Sequence, residues 1–265
     1  MCLLFISYKG APGVRLVVAA NRDEFLDRPT VCLDVIDENR KILGGRDLRC
    51  GGTWLAVASG GRIGAITNYR DPSMTKENAP SRGDIILDFL RQKVSASVYL
   101  HKLHRRKSEY NGFNLVLADD TGLWYYSNIS CEIKQLFPGF YGLSNHLLDT
   151  PWPKVERGKK MLRPLMEGVT QVDQKSIFHI LNDSCVPDFS RLPDTGVGPE
   201  WEKLLGTIFI DGPGYGTRSS AVVTVYESGR VSFGEQTYLR RPDRVMSTFV
   251  VQKEMDPPGQ AGRDR

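Results

Sequence analysis

The stretch CLLFISYKGAPGVRLVVAANRDEF, residues 2–25, contains two apolar segments on either side of a Lys-Gly-Ala-Pro-Gly turn. Residues 2–7 and 15–20 are mainly apolar and flank a turn-forming stretch, and this pattern predicts an antiparallel hairpin. Both segments are almost uniformly apolar, which is typical of strands covered on both faces. Because the second strand returns toward the start of the first, its polar end is predicted to lie beside residue 2.

Residue 2 is a cysteine, and a small residue at this position allows methionine aminopeptidase to remove Met1. Cys2 would then carry both a thiol and a free α-amine. The α-amino pKa is about 8 and the thiol pKa about 8.5, so the amine can accept the thiol proton without a histidine. The alternative is that Cys2 is a small buried hydrophobe opening an edge strand.

The second strand ends in four polar residues, Asn21, Arg22, Asp23 and Glu24. Arg22 could favour a thiolate at Cys2, and the Asp23 carboxylate could hold the ammonium or orient the thiol. The side chains of Arg22 and Asp23 are expected on opposite faces of an extended strand. The alternative is a solvated cluster at a strand end.

Three further polar residues lie at the ends of apolar segments: Asn68, which is followed by Tyr69, then Asn145 and Arg218. The two asparagine amides could donate hydrogen bonds to a developing oxyanion, and Arg218 could hold charge or pair with Asp23. Isolated asparagines at strand ends are more often turn formers.

The rest of the chain alternates between short strands and helices. Residues 53–58 with 62–67, and 113–118 with 123–126, are predicted hairpins, and further strands are expected at Ile208, 219–226 and 230–233. Helices are predicted from Asp84 onward, with a weak capping box at 81–84, and over 96–106, 153–166 and 174–182, the last with Asp173 as N-cap. Residues 183–199 are predicted to form a loop.

Together these elements predict one α+β layered domain over residues 1–254, with a disordered tail over 255–265. The 265 residues include 35 Lys and Arg against 31 Asp and Glu, without a long run of one sign, so nucleic-acid binding is not expected. The apolar runs are too short to span a bilayer and no secretory signal is visible. Five scattered cysteines indicate reduced thiols, and a soluble cytoplasmic protein without a metal site is expected.

Seven ordered motifs resemble the NRDE family, the homologues of transport and Golgi organisation protein 2. They are MCLLF, AANRDEF, GGTWLAV, ITNYRDP, YNGFNLVLAD, YGLSNHLLDTPW and GPGYGTRS. The resemblance runs from Met1 to about Val250. It implies haem trafficking, lipid handling or secretory organisation rather than one defined reaction.

The family is similar in turn to N-terminal-nucleophile hydrolases, which implies a four-layer αββα sandwich. By resemblance to the choloylglycine hydrolase and penicillin V acylase branch, Cys2 is the nucleophile and Asp23 the acid at the end of strand two. Asn68 and Asn145 resemble oxyanion or intermediate-binding positions, and Arg218 resembles a late arginine of that branch. One departure is Ala20, where the branch usually has an arginine.

The sequence and the family resemblance together lead to two functional hypotheses. The first is hydrolysis of a small amide or acyl substrate by Cys2, which requires no cofactor. The second is carriage of haem or an acyl-lipid without chemistry, with Cys2, His146, or the pair His101 and His104 as candidate haem ligands. A scaffold role has no positive support in the sequence, and the oligomeric state is left open.

Overall fold

The computed structural model describes residues 2–241 and 244–255, and for residues 2, 240, 241 and 244–253 it describes the backbone alone. The strands of this part are β1 (Cys2–Ala11), β2 (Val14–Phe25), β3 (Thr30–Asp37), β4 (Ile42–Asp47), β5 (Leu55–Ala58), β6 (Arg62–Asn68), β7 (Phe113–Asp119), β8 (Gly122–Ser127), β9 (Ile133–Leu136), β10 (Gly139–Leu143), β11 (Tyr215–Tyr226), β12 (Val231–Arg241) and β13 (Arg244–Met255). The helices are α1 (Gly83–Arg91), α2 (Ala96–His104), α3 (Pro153–Met166), α4 (Gln174–Leu181) and α5 (Pro199–Leu205).

The strands form two antiparallel sheets. The first sheet has the order β10-β1-β2-β11-β12-β13 and joins strands from both ends of the chain. The second sheet, β3 to β9, follows the order of the sequence. The β1–β2 hairpin lies inside the first sheet, because β10 pairs with the free edge of β1 and β11 with that of β2. Strands with neighbours on both sides and layers on both faces account for the uniformly apolar sequence.

Alternate residues of β1 belong to different cores, because successive side chains of a strand point to opposite faces. Leu4 and Ile6 pack between the two sheets against residues such as Leu55 of β5. Leu3 and Phe5 pack against helices α3 and α4. The first sheet is therefore covered by helices on one face and by the second sheet on the other.

The outer face of the second sheet packs against α1 and α2. Ile86 and Phe89 of α1 and Leu100 of α2 share a buried cluster with Phe113 and Leu115 of β7. The order of layers is thus α3 and α4, first sheet, second sheet, α1 and α2. The predicted α+β fold with a four-layer αββα sandwich is confirmed.

Helix α3 approaches β1 closely at Gly158. A Cβ atom at this position would lie 1.9 Å from the Phe5 ring, so any larger residue would push the helix away from the sheet. Among the described residues, none of the helices combines the length and apolar character needed to cross a bilayer.

Several sequence predictions about the elements are corrected by the structure. The capping box at 81–84 is wrong, because the N-cap is Arg82 in a helical conformation without a side-chain cap. Ile208 lies in a bend rather than a strand. The predicted loop over 183–199 ends in α5, and strands β3, β4, β9 and β13 were not predicted. Of the predicted tail, Met255 ends β13, and residues 256–265 lie outside the described residues.

Other predictions are confirmed. The hairpins β5–β6 and β7–β8 pair as expected. Asp173 is the N-cap of α4 and its side chain accepts a hydrogen bond from the Lys175 amide. Helix α3 has the predicted bounds, Pro153–Met166.

Candidate active site

The polar end of β2 lies beside the beginning of β1. In the antiparallel register Cys2 is opposite Arg22. On the other side of β2, Thr217 of β11 is opposite Asp23. The predicted backbone arrangement, with residue 2 next to the end of strand two, is therefore confirmed.

Arg22 extends between the two sheets and is only 4% exposed. Its guanidinium lies over the Trp54 ring, 4.3 Å from the ring centroid, and its Nη2 donates to Asp47 Oδ2 at 3.1 Å. Arg28 donates to the same carboxylate through Nε at 2.5 Å and through Nη2 at 3.2 Å. One carboxylate thus joins two arginines, and these three residues are called the Asp47 clamp below.

The Asp47 carboxylate also accepts backbone hydrogen bonds from the Arg49 and Cys50 amides, at 3.1 and 2.8 Å. Burial acts to raise the pKa of Asp47, but the hydrogen bonds from Arg28 and Cys50 outweigh it, and the pKa is lowered. Asp47 is therefore ionised at neutral pH, and its oxygens are occupied by donors.

Asp23 faces the opposite side of β2 from Arg22, as the alternation of a strand requires. Its carboxylate is buried and accepts a 2.8 Å hydrogen bond from the Thr217 hydroxyl. Burial raises the pKa of Asp23, while the positive charge of Lys154 and the Thr217 hydrogen bond act against this rise. The expected opposite orientation of Arg22 and Asp23 is confirmed.

Lys154, in the first turn of α3, is buried near Asp23 and was not predicted from sequence. Its side chain is 4% exposed, and Nζ donates to the Leu205 carbonyl at 2.7 Å. Burial lowers the pKa of Lys154 to about 8, against the opposing effect of the Asp23 charge. No local pattern separates it from Lys159 and Lys160, which are on the same helix.

Two neighbouring cavities adjoin the ends of β2 and β6. The first, of 310 Å³, is lined by Arg22, Asp23 and Glu24 among others, and the second, of 540 Å³, by Tyr69 and Arg70 among others. Both are lined by Asn68, Arg82 and Asn111. Asn68 is therefore at their junction, and its side-chain amide makes no hydrogen bond to the part of the chain that the structure describes.

Asn145 lies directly behind Asn68. Its Nδ2 donates to the Asn68 carbonyl at 3.0 Å, and its own carbonyl accepts from the Arg70 amide at 2.7 Å. Asn145 is 2% exposed and is not part of the lining of either cavity. The structure brings the two predicted asparagines together, with Asn145 fixing the backbone of Asn68.

Tyr69 and the candidate haem ligand His146 are hydrogen-bonded to each other. The Tyr69 hydroxyl is 2.9 Å from His146 Nε2, and His146 Nδ1 is 2.8 Å from the Thr150 hydroxyl. Both ring nitrogens are thus engaged. His101 and His104 are on α2, on the far side of the second sheet, and neither lines the two cavities.

Arg218 is placed away from the cavities. The pairing of β11 with β2 shifts between Thr217 and Ser219, so Arg218 lies in a bulge that redirects its side chain. Its Nη1 donates to the carbonyls of Phe25 and Arg28, at 2.9 and 3.0 Å. In place of the expected pairing with Asp23, Arg218 binds the backbone that follows β2.

Asn21 is likewise a structural residue. Its Nδ2 donates to the carbonyls of Leu181 and Ile208, at 2.8 and 2.9 Å, and its Oδ1 accepts from the Ser220 hydroxyl at 2.6 Å. These bonds attach β2 to the end of α4 and to the chain before β11. Of the predicted supporting residues, Arg22, Glu24 and Tyr69 line the cavities and Asn21 does not.

Arg70 lines the second cavity and was also not predicted from the sequence. It is 7% exposed, its Nη2 donates to Glu202 Oε2 at 3.0 Å, and its guanidinium lies 4.7 Å from the Trp152 ring centroid. The signal was present in the sequence, because Asn21-Arg22-Asp23 and Asn68-Tyr69-Arg70-Asp71 both place arginine and aspartate after an asparagine at the end of a strand.

Among the side chains that the structure describes, which do not include that of Cys2, no three histidine, cysteine or acidic residues are placed to hold a metal ion together. The four cysteines whose side chains are described, Cys32, Cys50, Cys131 and Cys185, are free thiols. Cys50 lines the first cavity.

Comparison with known proteins relates nearly the whole chain to one family. The family model described as Transport and Golgi organisation 2 matches residues 1–240. A Bos taurus protein, Transport and Golgi organization protein 2 homolog, is 34% identical over 259 residues, which cover 90% of this chain and 94% of that protein. The Homo sapiens homolog is 33% identical with the same coverage.

Among solved structures, a variant of conjugated bile acid hydrolase from Clostridium perfringens is similar to this chain with a TM-score of 0.48 and 10% sequence identity. The match covers 96% of this chain and 97% of that one. At this level of identity, the roles of residues around the two cavities have to follow from their own contacts.

Proposed function

The chain belongs to the Transport and Golgi organisation 2 family, and from this premise we propose that it is an N-terminal cysteine amidohydrolase. Met1 is removed, Cys2 becomes the first residue, and its thiol attacks the carbonyl carbon of a small amide or related acyl substrate. The products are a carboxylic acid and an amine.

The observation that carries the proposal is the place of residue 2 in the first sheet. Its backbone pairs with Arg22, and Arg22 lines the first cavity together with Asp23 and Asn68. A nucleophile at residue 2 is thus next to a space bordered by an amide donor and a guanidinium, with the Asp23 carboxyl on the other face of the same strand. This combination supports attack on a polar carbonyl group.

The proposed reaction divides hydrolysis into two steps. The α-amine of Cys2 takes the thiol proton while the sulfur bonds to the carbonyl carbon, and the ammonium returns that proton to the leaving nitrogen as the C–N bond breaks. Water then adds to the thioester, releases the acid and restores the thiol. The steps sum to amide plus water giving acid plus amine, so they balance without a cofactor.

Asn68 is the proposed oxyanion donor, because its side-chain amide lines both cavities and makes no hydrogen bond to a described residue. Asn145 is a positioning residue that holds Asn68 through its carbonyl. Asp23 in its ionised form would hold the ammonium of Cys2 and keep the amine oriented.

Carriage of an acyl-lipid without chemistry is the second candidate, and one observation favours it. The second cavity is lined by Phe25, Pro72, Met74 and Ile129, which suit an apolar chain. Haem carriage would use the same space. Both ring nitrogens of His146 are engaged in hydrogen bonds, so a haem iron would need a different protein ligand unless these bonds break.

We place the protein in the cytoplasm, in a reducing environment, and the four free thiols support this.

The test compares Cys2→Ala with Cys50→Ala, since Cys50 is a second thiol at the first cavity. Both variants are assayed against a panel of acyl amides with chromogenic leaving groups. We expect Cys2→Ala to lose turnover by a factor of about a thousand or more, and Cys50→Ala to retain it. Saturable ligand binding without turnover by the unmodified protein would instead select carriage, and full activity of Cys2→Ala would contradict the mechanism.

A further inference from the structure

We infer that Arg22 is the receptor for an anionic group of the ligand, so that the substrate of the proposed hydrolysis is an amide that carries a carboxylate or another oxyanion. The description of this ligand as a substrate rests on the proposed function, while binding of the anion depends only on the cavity.

The first observation is an unpaired nitrogen in a buried guanidinium. Arg22 is 4% exposed and lines the first cavity, and its Nη1 has no hydrogen-bond partner among the described residues. Buried donors are nearly always paired, because an unpaired one loses its hydration without compensation. A ligand oxyanion in the cavity would supply the partner.

The second observation is that the guanidinium is fixed in place before any ligand arrives. Its face rests on Trp54, and its Nη2 is bound to Asp47. Arg28 and two backbone amides occupy the remaining positions of that carboxylate. A donor held in this way loses little conformational entropy on binding, which favours specific recognition.

The third observation concerns the charges around the cavity. Three guanidinium groups, from Arg22, Arg28 and Arg82, line it together with the carboxylates of Glu24 and Asp47. The Asp23 carboxyl points to the helix face of the strand, where the Thr217 hydroxyl binds it, and does not add to the charge of the cavity. Three guanidinium groups and two carboxylates therefore border the cavity, and this balance favours an anion over a neutral or cationic ligand.

A related arrangement in the second cavity supports the same conclusion. Arg70 is also buried against a tryptophan and bound to one carboxylate, and its Nε and Nη1 lack partners among the described residues. Because the two cavities meet at Asn68, a ligand that extends from one to the other would pass between two half-paired guanidinium groups.

The experiment measures binding to the Cys2→Ala protein by isothermal titration calorimetry, so that turnover cannot interfere. The probes are N-octanoylglycine, its neutral counterpart N-octanoylglycinamide, and N-octanoyl-aminomethylphosphonate. We expect the carboxylate probe to bind at least about tenfold more tightly than the neutral one, since charge-assisted bidentate pairs are strong. The phosphonate tells whether the site prefers a carboxylate or a phosphate-like dianion.

Arg22→Met in the same background should bring the affinity ratio of the carboxylate and neutral probes close to one. Arg22→Lys, which keeps the charge but loses the fork, should give an intermediate ratio. The matched control is Arg62→Met, since Arg62 also lies over an aromatic ring, that of Phe89 at 4.2 Å, but lines neither cavity. Circular dichroism and thermal melts establish that each variant is folded.

A ratio near one in the Cys2→Ala protein, or a high ratio that survives Arg22→Met, would overturn the inference. If Arg22 acted only on the Cys2 thiol, Arg22→Met would slow alkylation of the unmodified protein by iodoacetamide and leave the affinity ratio unchanged, and this result would also overturn it. If the anion binds as expected while the unmodified protein hydrolyses none of the probes, the inference stands and the proposed hydrolase function fails.

Discussion

Arg22 and Asp23 are neighbours in sequence, yet they belong to two different environments. Arg22 is in the Asp47 clamp and borders a cavity, with one nitrogen unpaired. Asp23 is on the helix side of the sheet, where the Thr217 hydroxyl binds it and Lys154 lies close enough to change its pKa. The end of β2 thus borders a cavity with the Arg22 guanidinium on one face and places the buried Asp23 carboxyl close to the buried Lys154 ammonium on the other.

The ionisable groups of the two faces have opposite pKa shifts, toward the charged form at Asp47 on the cavity face and toward the neutral forms at Asp23 and Lys154 on the helix face. On the cavity face the pKa of Asp47 is lowered by its donors. On the helix face burial raises the pKa of Asp23 and lowers that of Lys154 to about 8. The two faces should therefore respond differently to substitution and to pH.

Among the variants that test the two faces, Asp23→Asn is expected to have the largest effect, and this effect is on kcat/KM. The substitution preserves size but removes the carboxylate that is proposed to hold the Cys2 ammonium, so kcat/KM should fall roughly a thousandfold while folding is retained. Steady-state kinetics at pH 7 measure this. Thr217→Val, which keeps the carboxylate but removes the hydroxyl that binds Asp23 and the Ile210 amide, is the matched control and should have a much smaller effect. An Asp23→Asn enzyme of normal activity would show that this face has no part in catalysis.

The next effect concerns stability on the cavity face. Asp47→Ala leaves two arginines without their carboxylate, and we expect the free energy of unfolding to fall by about 3 kcal/mol, since breaking a buried pair strands its partner. Urea denaturation followed by circular dichroism measures the change. Asp37→Ala, which breaks the exposed pair with Arg91, should leave the midpoint nearly unchanged. Equal midpoints for both variants would mean that the clamp does not stabilise the fold.

Lys154→Met should change the pH dependence of the helix face. The positive charge of Lys154 lowers the pKa of Asp23, so its loss should move the acid limb of kcat/KM to higher pH and reduce activity about tenfold at pH 6. Lys159→Met, on the outer part of the same helix, is the control. If the pH profiles of the two variants coincide, Lys154 does not act on Asp23.

Lys154 should also affect how the stability of the protein depends on pH. Its pKa is lowered from 10.5 to about 8, so between these values the unfolded chain holds a proton that the folded chain has released. Stability should therefore rise with pH across this window, and Lys154→Met should lose that rise. Thermal melts of both proteins between pH 8 and 10.5 measure the difference. A wild-type melting temperature that falls as steeply as that of Lys154→Met would contradict the assignment.

The smallest effect is expected for Arg218→Met. The side chain donates to two backbone carbonyls after β2 and lines neither cavity. Its loss should lower the free energy of unfolding by about 1 kcal/mol, with kcat/KM changed less than about threefold. Urea denaturation and kinetics on the same preparation measure both. A large loss of activity without a loss of stability would show that Arg218 contributes to the active site.

Much of the fold could be predicted from the sequence, because its strongest signals are local. The apolar hairpin of β1 and β2, the turn between β7 and β8, and the Asp173 cap each depend on a few adjacent residues. Strands β3 and β13 carry many polar residues, and their pairing partners decide their conformation rather than their own pattern.

The candidate site was predictable only in part, for the same reason. Cys2, Asp23 and Asn68 stand at strand ends, where sequence position already suggests their meeting. Asp47 is at the end of β4 and Lys154 is in α3, and both lie close to the end of β2 only in the folded protein. The residues next to them in sequence do not predict this proximity. Arg218 was misplaced because a bulge in β11 redirects it, and the flanking residues do not reveal the bulge.

The central claim, that Cys2 is the nucleophile at the first residue of the processed chain, is tested most directly by trapping the acyl-enzyme. The protein is mixed with an activated acyl substrate, quenched in acid within seconds, and measured by intact and peptide mass spectrometry. We expect a chain without the initiator methionine that carries one acyl group on the Cys2 peptide. A chain that retains Met1, or an acyl group found only at Cys50 or another residue, would contradict the claim.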